Sequence, residues 1–496
     1  MSESIRSITV VGGGTAGWMS ASLLADMLSP ECAVTLVESE EIGIIGVGEA
    51  SVPILKLFND LLGIDENDFI AATQGSFKLG IEFCDWGVPG NVHFHGFGGY
   101  GDAIRGVSPH HYWWRLRASG DPTPIDEYSF PYAMARRGKF APAGPGSAQY
   151  LHAFHFDAVL YARFLREFAL QKGVTRIEGK VVDVVLDGET GFIDSLKLAD
   201  GRLVGGDLFI DCTGFASLLV GGALKTPFVD WSHWLLADSA MAVPSASDEM
   251  PMPFTRSTAR GAGWQWRIPL QNRHGNGLVY SSRFLSDDAA RDVLLSNLPG
   301  APLAEPRMFR FTSGHRKQFW NRNCVAIGFA GSFLEPLEST GIQLIQTGIA
   351  RLLEYFPDRS FDPRIRDEYN RITTGELERI RDFIIAHYHL TRRDEPFWAA
   401  CRSMAVPDSL KHKLEVWRAC GYVALSGEES YQEPSWAAIL LGNGLVPERC
   451  SPLANKMLLE AVRSGMAARR AELVRAAAGM PSHAAYLEKH CKGMKA

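Results

Sequence analysis

The chain has 496 residues, 46% hydrophobic and 21% charged, an ordinary globular composition that excludes disorder and fibrous repeats. Fifty Lys and Arg against 56 Asp and Glu give a net charge of −6, so no basic excess exists to hold a nucleic-acid backbone. The mean hydropathy of −0.05, without an apolar run of about 18 residues, excludes an ordinary membrane span.

The first six residues carry no apolar segment of the secretory kind, so a cytoplasmic protein is expected. Eight cysteines are scattered with no CxxC pair. That pattern suits reduced, buried thiols and neither a disulfide framework nor a zinc site. Ile8–Val11 reads as a short buried strand. It runs into Gly12-Gly-Gly-Thr-Ala-Gly-Trp18 and then a helical pattern through Met19, Leu23, Leu24 and Met27. A second strand follows over Ala33–Glu38, completing a β-α-β unit. Gly12-x-Gly14-x-x-Gly17 in that setting is a dinucleotide fingerprint. Gly12 serves the tight turn, Gly14 lets backbone approach a pyrophosphate, and Gly17 lets helix and strand pack closely. Thr15 and Ala16 lie at the helix N-terminus, where free N–H groups favour an anion. Glu38, 21 residues beyond Gly17, stands where a carboxylate holds ribose hydroxyls.

Further along, Val88–Gly106 reads as loop, since Asn91–Tyr100 holds too many glycines for a helix. Arg176–Leu186 reads as one strand, with Phe192–Lys197 and Leu203–Phe209 beside it. Leu208–Gly214 and Asn323–Gly328 read as buried strands ending in glycine. Trp264-Gln-Trp266-Arg-Ile-Pro269 is extended, with both tryptophans on one side. Its alternatives are a bulky core face or the wall of a cavity. The C-terminal third is helical: Ile342 to Phe356, Leu377 to Ile384 and Leu453 to Ala478 follow a 3.6-residue period. His387 and His389 close a helix and read as structural. His93-x-His95 and His110-His111 lack a third ligand at metal-binding spacing, so no metal site is expected.

The dispersed strands, separated by long insertions, resemble the FAD proteins of the glutathione-reductase type. The expectation is an α/β fold in one interlocked unit over residues 1–496. Its FAD-binding Rossmann region covers about 5–55, 150–220 and 320–355. Its helix-rich substrate-binding region covers about 56–149, 221–319 and 356–496.

Six segments sharpen the resemblance. Trp264–Pro269 matches the WxWxIP motif of the flavin-dependent halogenases of the tryptophan-halogenase type. Gly12–Trp18 resembles their nucleotide motif, and Val47-Gly-Glu-Ala-Ser51 their flavin-contacting strap. Phe77-Lys78 resembles their lysine segment and Pro336-Leu-Glu-Ser-Thr-Gly-Ile342 their glutamate and halide segment. Gly442–Pro447 is similar to a C-terminal piece.

The resemblance implies FAD used as FADH2, a halide ion (chloride or bromide), O₂ and a separate flavin reductase. It implies a small aromatic substrate, no nucleic-acid or membrane partner, and a monomer or homodimer. In that family hypohalous acid made at the flavin reaches a lysine through a tunnel, and the lysine presents halogen to an aromatic ring. By resemblance the lysine is Lys78. As a neutral amine it takes the halogen; as an ammonium it polarises the oxidant; burial favours the neutral form. Glu338 stabilises the cationic ring intermediate and takes its proton, with Ser339 alongside. Thr340 and Gly341 offer backbone N–H groups to the halide at a helix N-terminus. Glu49, Ala50 and Ile342 contact FAD. His95 and Phe97 stand near the substrate, and Trp264 and Trp266 line the tunnel. The tryptophan-specific members carry paired tyrosines, a glutamate and a Phe-Trp pair that grip the amino-acid backbone. Ser426–Trp436, the corresponding stretch, has neither pair, so indoles or other electron-rich arenes are expected in place of tryptophan. The alternatives are an FAD-dependent aromatic monooxygenase or a non-catalytic flavin-binding protein, neither of which needs Lys78, Glu338 and the tryptophan wall together.

Overall fold

The computed structural model describes residues 4–41, 48–143 and 150–491. The fold is mixed α/β, built on two large sheets with three three-stranded ones, one of which, the small sheet of the site, carries Lys78. The first sheet orders Trp320–Asn321, Cys324–Ala326, Leu208–Asp211, Ser7–Val11, Ala33–Glu38 and Thr175–Glu178. All but its edge pair run parallel. Its central strands Ser7–Val11 and Leu208–Asp211 are mostly apolar and almost wholly buried, as strands covered on both faces are. The helix Thr15–Leu28 packs on it, flanked by the helices Ala158–Gln171 and Thr340–Glu354.

The second sheet has seven strands and places Gly263–Pro269 between Thr255–Arg260 and His274–Tyr280. Gly80–Cys84 and Val92–Gly96 form its far edge. The small sheet has Ala153–Asp157 at its centre, with Gly48–Ala50 on one side and Ser76–Lys78 on the other. The strap and the lysine segment therefore share one partner strand. Lys78 closes the small sheet, and two residues later Gly80 opens the seven-stranded one. A Cβ on Gly80 would overlap the His95 carbonyl, so the junction needs glycine.

Four local expectations are corrected. Arg176–Leu186 is two strands, Thr175–Glu178 in the parallel sheet and Val181–Leu186 in a separate antiparallel one. The break falls at Gly179, where a Cβ would lie 2.7 Å from Leu198. Leu203–Phe209 divides likewise between Leu203–Gly205 and Leu208–Asp211. Within the glycine-rich stretch, Val92–Gly96 is a strand, because Gly80–Cys84 supplies its hydrogen-bonding partner. The last long helix begins at Leu459, after a 3₁₀ turn over Pro452–Lys456. All eight cysteines are free thiols. Among the described residues no helix is long and apolar enough to cross a membrane, and no three His, Cys, Asp or Glu side chains are grouped to hold a metal.

Candidate functional site

The fingerprint loop leaves the end of Ser7–Val11. Gly12 has φ +114°, and a Cβ there would overlap the Cys212 carbonyl; one on Gly17 would overlap the Gly12 carbonyl. These two glycines are demanded by packing. A Cβ on Gly14 meets nothing within 4 Å, so its face is open to a ligand. Gly13, a free position in the fingerprint, is constrained here: a Cβ would overlap the Glu38 carboxylate. Glu38 accepts from Arg176 Nε at 2.5 Å. Gly14 caps the helix that begins at Thr15 without a side-chain hydrogen bond, and no acid lies in its first turn. An uncapped N-terminus under an open glycine face suits the pyrophosphate of FAD. Ala16 faces Gly328, whose added Cβ would come within 3.1 Å of it. That places the second glycine-ended strand against the fingerprint. Glu49 and Ala50 lie on the strap strand; Val47 lies outside the described residues.

Lys78 is fully buried. Its Nζ donates to the Ser51 carbonyl and to Ser339 Oγ, each at 2.9 Å. The Phe97 ring stands 5.3 Å from it. Burial pulls the ammonium down to about 7, against the upward pull of the Glu338 carboxylate.

Glu338 sits on a 3₁₀ turn, Pro336–Glu338, just ahead of the helix Thr340–Glu354. Its carboxylate is 1% exposed. His95 Nδ1 meets its two oxygens at 2.9 and 3.2 Å. His387 Nε2 lies 2.9 Å from Oε1 as a close polar contact, off the line of a hydrogen bond. Burial would raise this carboxyl, but His95 and then His387 outweigh it and hold it near 2. His387 is the residue sequence reading missed. A histidine at the end of a long helix looks structural until the turn carrying Glu338 folds against it.

Ser339 links the turn to the helix with φ +60°, a left-handed conformation uncommon for a side-chain-bearing residue. It gives no side-chain cap to the helix. Thr340 is fully buried, and its Oγ1 has no partner. Gly341 beside it is half-buried and Ile342 buried. An orphaned hydroxyl at an uncapped helix N-terminus fits an anion.

The tryptophan pair lies on one face, ring centroids 5.9 Å apart. Trp264 donates through Nε1 to Glu335 Oε1 at 3.2 Å, and the Tyr388 hydroxyl donates to the same oxygen at 2.5 Å. Burial pushes the Glu335 carboxyl up to about 7. Trp266 folds over Gly277, where a Cβ would overlap its ring. The consecutive residues His387 and Tyr388 thus meet both carboxyls of the Glu-Pro-Leu-Glu turn. Lys78, Glu338, Ser339, Thr340, His95 and Phe97 are brought together, while the fingerprint and Glu38 lie at the ends of the parallel strands. His110 and His111 bond the Gly421 carbonyl and the Ser451 N–H, away from this cluster.

The sequence matches the tryptophan halogenase family over residues 7–458. It is 38% identical over 443 residues to the tryptophan 6-halogenase ThaL of Streptomyces albogriseolus, covering 84% of this chain and 83% of that protein. Among solved structures it superposes on BrvH, a flavin-dependent halogenase from Brevundimonas sp. BAL3. The TM-score is 0.95 at 46% identity, over 98% of this chain and 99% of the other. A flavin-dependent halogenase from Xanthomonas campestris gives a TM-score of 0.97 at 45% identity, over 99% and 100%.

Proposed function

The chain belongs to the tryptophan halogenase family, and on that premise we propose that this flavin-dependent halogenase uses Lys78 to deliver halogen to a neutral, electron-rich arene such as an indole. A separate reductase supplies FADH2. The observation that carries the reading is the fully buried Lys78 amine, held between the Ser51 carbonyl and Ser339 Oγ.

Bound FADH2, with O₂ and chloride or bromide, supplies hypohalous acid. Gly12, Gly14, Thr15, Ala16, Gly17 and Glu38 hold the dinucleotide, with Glu49, Ala50 and Ile342 toward the flavin. Thr340 and Gly341 hold the halide at the helix N-terminus. Trp264 and Trp266 wall the arene off from the flavin side.

At Lys78 the free-amine form is accessible near neutral pH, because burial has brought the ammonium down to about 7. The amine nitrogen bonds to halogen, the O–halogen bond breaks, and the hydroxyl leaves with the amine's proton as water. The arene then takes the halogen as the N–halogen bond breaks, and the ring proton, removed by Glu338, passes to the lysine nitrogen, which returns Lys78 as the amine. The ring passes through a cation. Glu338, kept ionised by His95 and His387, stabilises that cation and takes the ring proton. Ser339 holds the lysine at the turn, and His95 and Phe97 border the ring.

The test is incubation with FAD, a flavin reductase, NADH, O₂ and bromide or chloride, using indole, tryptophan and a phenol as substrates. Products are read by mass spectrometry. Halogenated indole is expected, and Lys78→Ala should abolish it while FAD binding persists. Halogenated product retained by Lys78→Ala would defeat the lysine role. A hydroxylated product would replace the reading with an aromatic monooxygenase.

A further inference from the structure

The stretch Ser426–Trp436 holds two of its acids against cationic side chains. Glu428 Oε1 takes Arg371 at 3.1 Å, and Glu429 Oε1 takes Lys413 at 2.5 Å. Glu433 faces His110 at 3.6 Å. The Trp436 N–H goes to the second Glu429 oxygen at 3.5 Å, and the Gln432 amide to the Glu429 carbonyl at 2.9 Å. Glu428 and Glu429 are thus neutralised by cationic partners and are not free for the ammonium of an amino acid.

Tyr431 differs from these neighbours. It is 6% exposed, and its hydroxyl is buried without any partner. Its ring lies flat on Phe383, centroids 3.8 Å apart at 9°. It stands 6.1 Å from the His95 ring, and Phe383 stands 5.7 Å from that same ring. Phe383 also meets His387 edge-on at 5.4 Å. The phenol thus neighbours the His95 imidazole directly, and the Phe383 ring beneath it touches His387. Burial and then the Glu338 carboxylate drive its acidity well below that of a free phenol, so the group is a neutral hydroxyl at working pH. A buried hydroxyl left unpaired is costly, and a ligand that pairs it removes that cost.

We propose that Tyr431 is the polar anchor for the arene: its hydroxyl oxygen accepts the ring N–H of a neutral, indole-type substrate and selects it over zwitterionic amino acids. This rests on the arene reading above and narrows it to ring systems bearing an N–H donor. A site built to pair such a donor rejects an isostere that lacks it.

The test measures equilibrium binding to the FAD-loaded, unreduced full-length protein. The ligands are indole and benzothiophene, which has the same bicyclic shape without a ring N–H. The unsubstituted protein should bind indole about tenfold more tightly, the worth of one good hydrogen bond. Tyr431→Phe should weaken indole by the same factor and leave benzothiophene unchanged. Because the lost hydroxyl is unpaired, the variant should melt no lower than the parent. An indole preference that survives Tyr431→Phe, or its absence from the parent protein, overturns the proposal. The two readings fail separately. Tyr431-dependent indole binding without halogenated product in the coupled assay would support the anchor and defeat indole as substrate. Halogenated indole with the binding preference intact in Tyr431→Phe would defeat the anchor alone.

Discussion

Lys78 Nζ donates to Ser339 Oγ at 2.9 Å, so the lysine is fastened to the residue that follows Glu338 and opens the helix bearing Thr340 and Gly341. One serine, held in a left-handed conformation, therefore sets the distance between the amine, the carboxylate and the halide end of the helix. That arrangement removes a lysine from water, and the removal has a measurable consequence.

The folded-state value of about 7 lies far below the ordinary 10.5. Between these values the unfolded chain binds the extra proton and the folded one does not, so this site makes stability rise with pH across that window. Below about 7 the full penalty stands, several kcal/mol at about 1.36 kcal/mol per pH unit. Lys78→Met should therefore be more stable than the parent at pH 7, and the gap should shrink toward pH 10. Urea unfolding at pH 7 and pH 9.5 measures it. A gap that is constant with pH would show that Lys78 is not held as a buried base.

Glu338 works in the opposite sense. Its carboxyl is held near 2 against an ordinary 4.5. The stabilisation is complete above pH 4.5 and lost as pH falls toward 2. Glu338→Gln should lose about 10²-fold in kcat while FAD affinity holds. His387→Leu removes the contact at Oε1 and should move the acid limb of the halogenation pH profile upward. An acid limb unmoved in His387→Leu would mean that His95 alone sets the charge on Glu338.

The parts of this site that were legible are those whose chemistry is local. Gly12, Gly14 and Gly17 announce a phosphate loop because strand, turn and helix are consecutive. The roles of Lys78, Glu338 and the Trp264–Trp266 pair came from family motifs alone, since an isolated lysine or carboxylate says nothing about burial. What stayed hidden depends on partners distant in sequence. His387 lies 49 residues beyond Glu338 on the apolar side of a long helix, where periodicity reports packing and not an ionic contact. The Glu335–Tyr388–Trp264 bonds join three segments that no local pattern relates. The strand Val92–Gly96 looked like loop because glycine propensity is weak beside the hydrogen bonds that Gly80–Cys84 provides.

Thr340 offers a test of the halide end. Its hydroxyl is buried and unpaired, and valine keeps its shape. Thr340→Val should raise the halide KM about five- to tenfold, through loss of one hydrogen bond to the anion, and should not lower the melting temperature. Saturation curves in bromide and chloride measure this. An unchanged halide KM would remove the side chain from the site and leave backbone N–H groups alone to hold the ion.

Two glycines of the fingerprint should respond in different ways. Gly14 has φ −79° and ψ −175°, ordinary extended backbone, and a Cβ there touches nothing. Gly14→Val should leave the melting temperature of the flavin-free protein unchanged while weakening FAD, because the new side chain fills the space a pyrophosphate needs. Gly17 faces the Gly12 carbonyl too closely for any Cβ. Gly17→Ala must push the helix Thr15–Leu28 off its strand, at a cost of about 2 kcal/mol or more, so stability and FAD affinity should fall together. FAD titration by fluorescence, paired with thermal melts of the flavin-free variants, separates the cases. If Gly14→Val retains FAD at parental affinity, the open face of that residue is not where the pyrophosphate lies. The dinucleotide would then have to approach the uncapped helix from the side of Thr15 and Ala16.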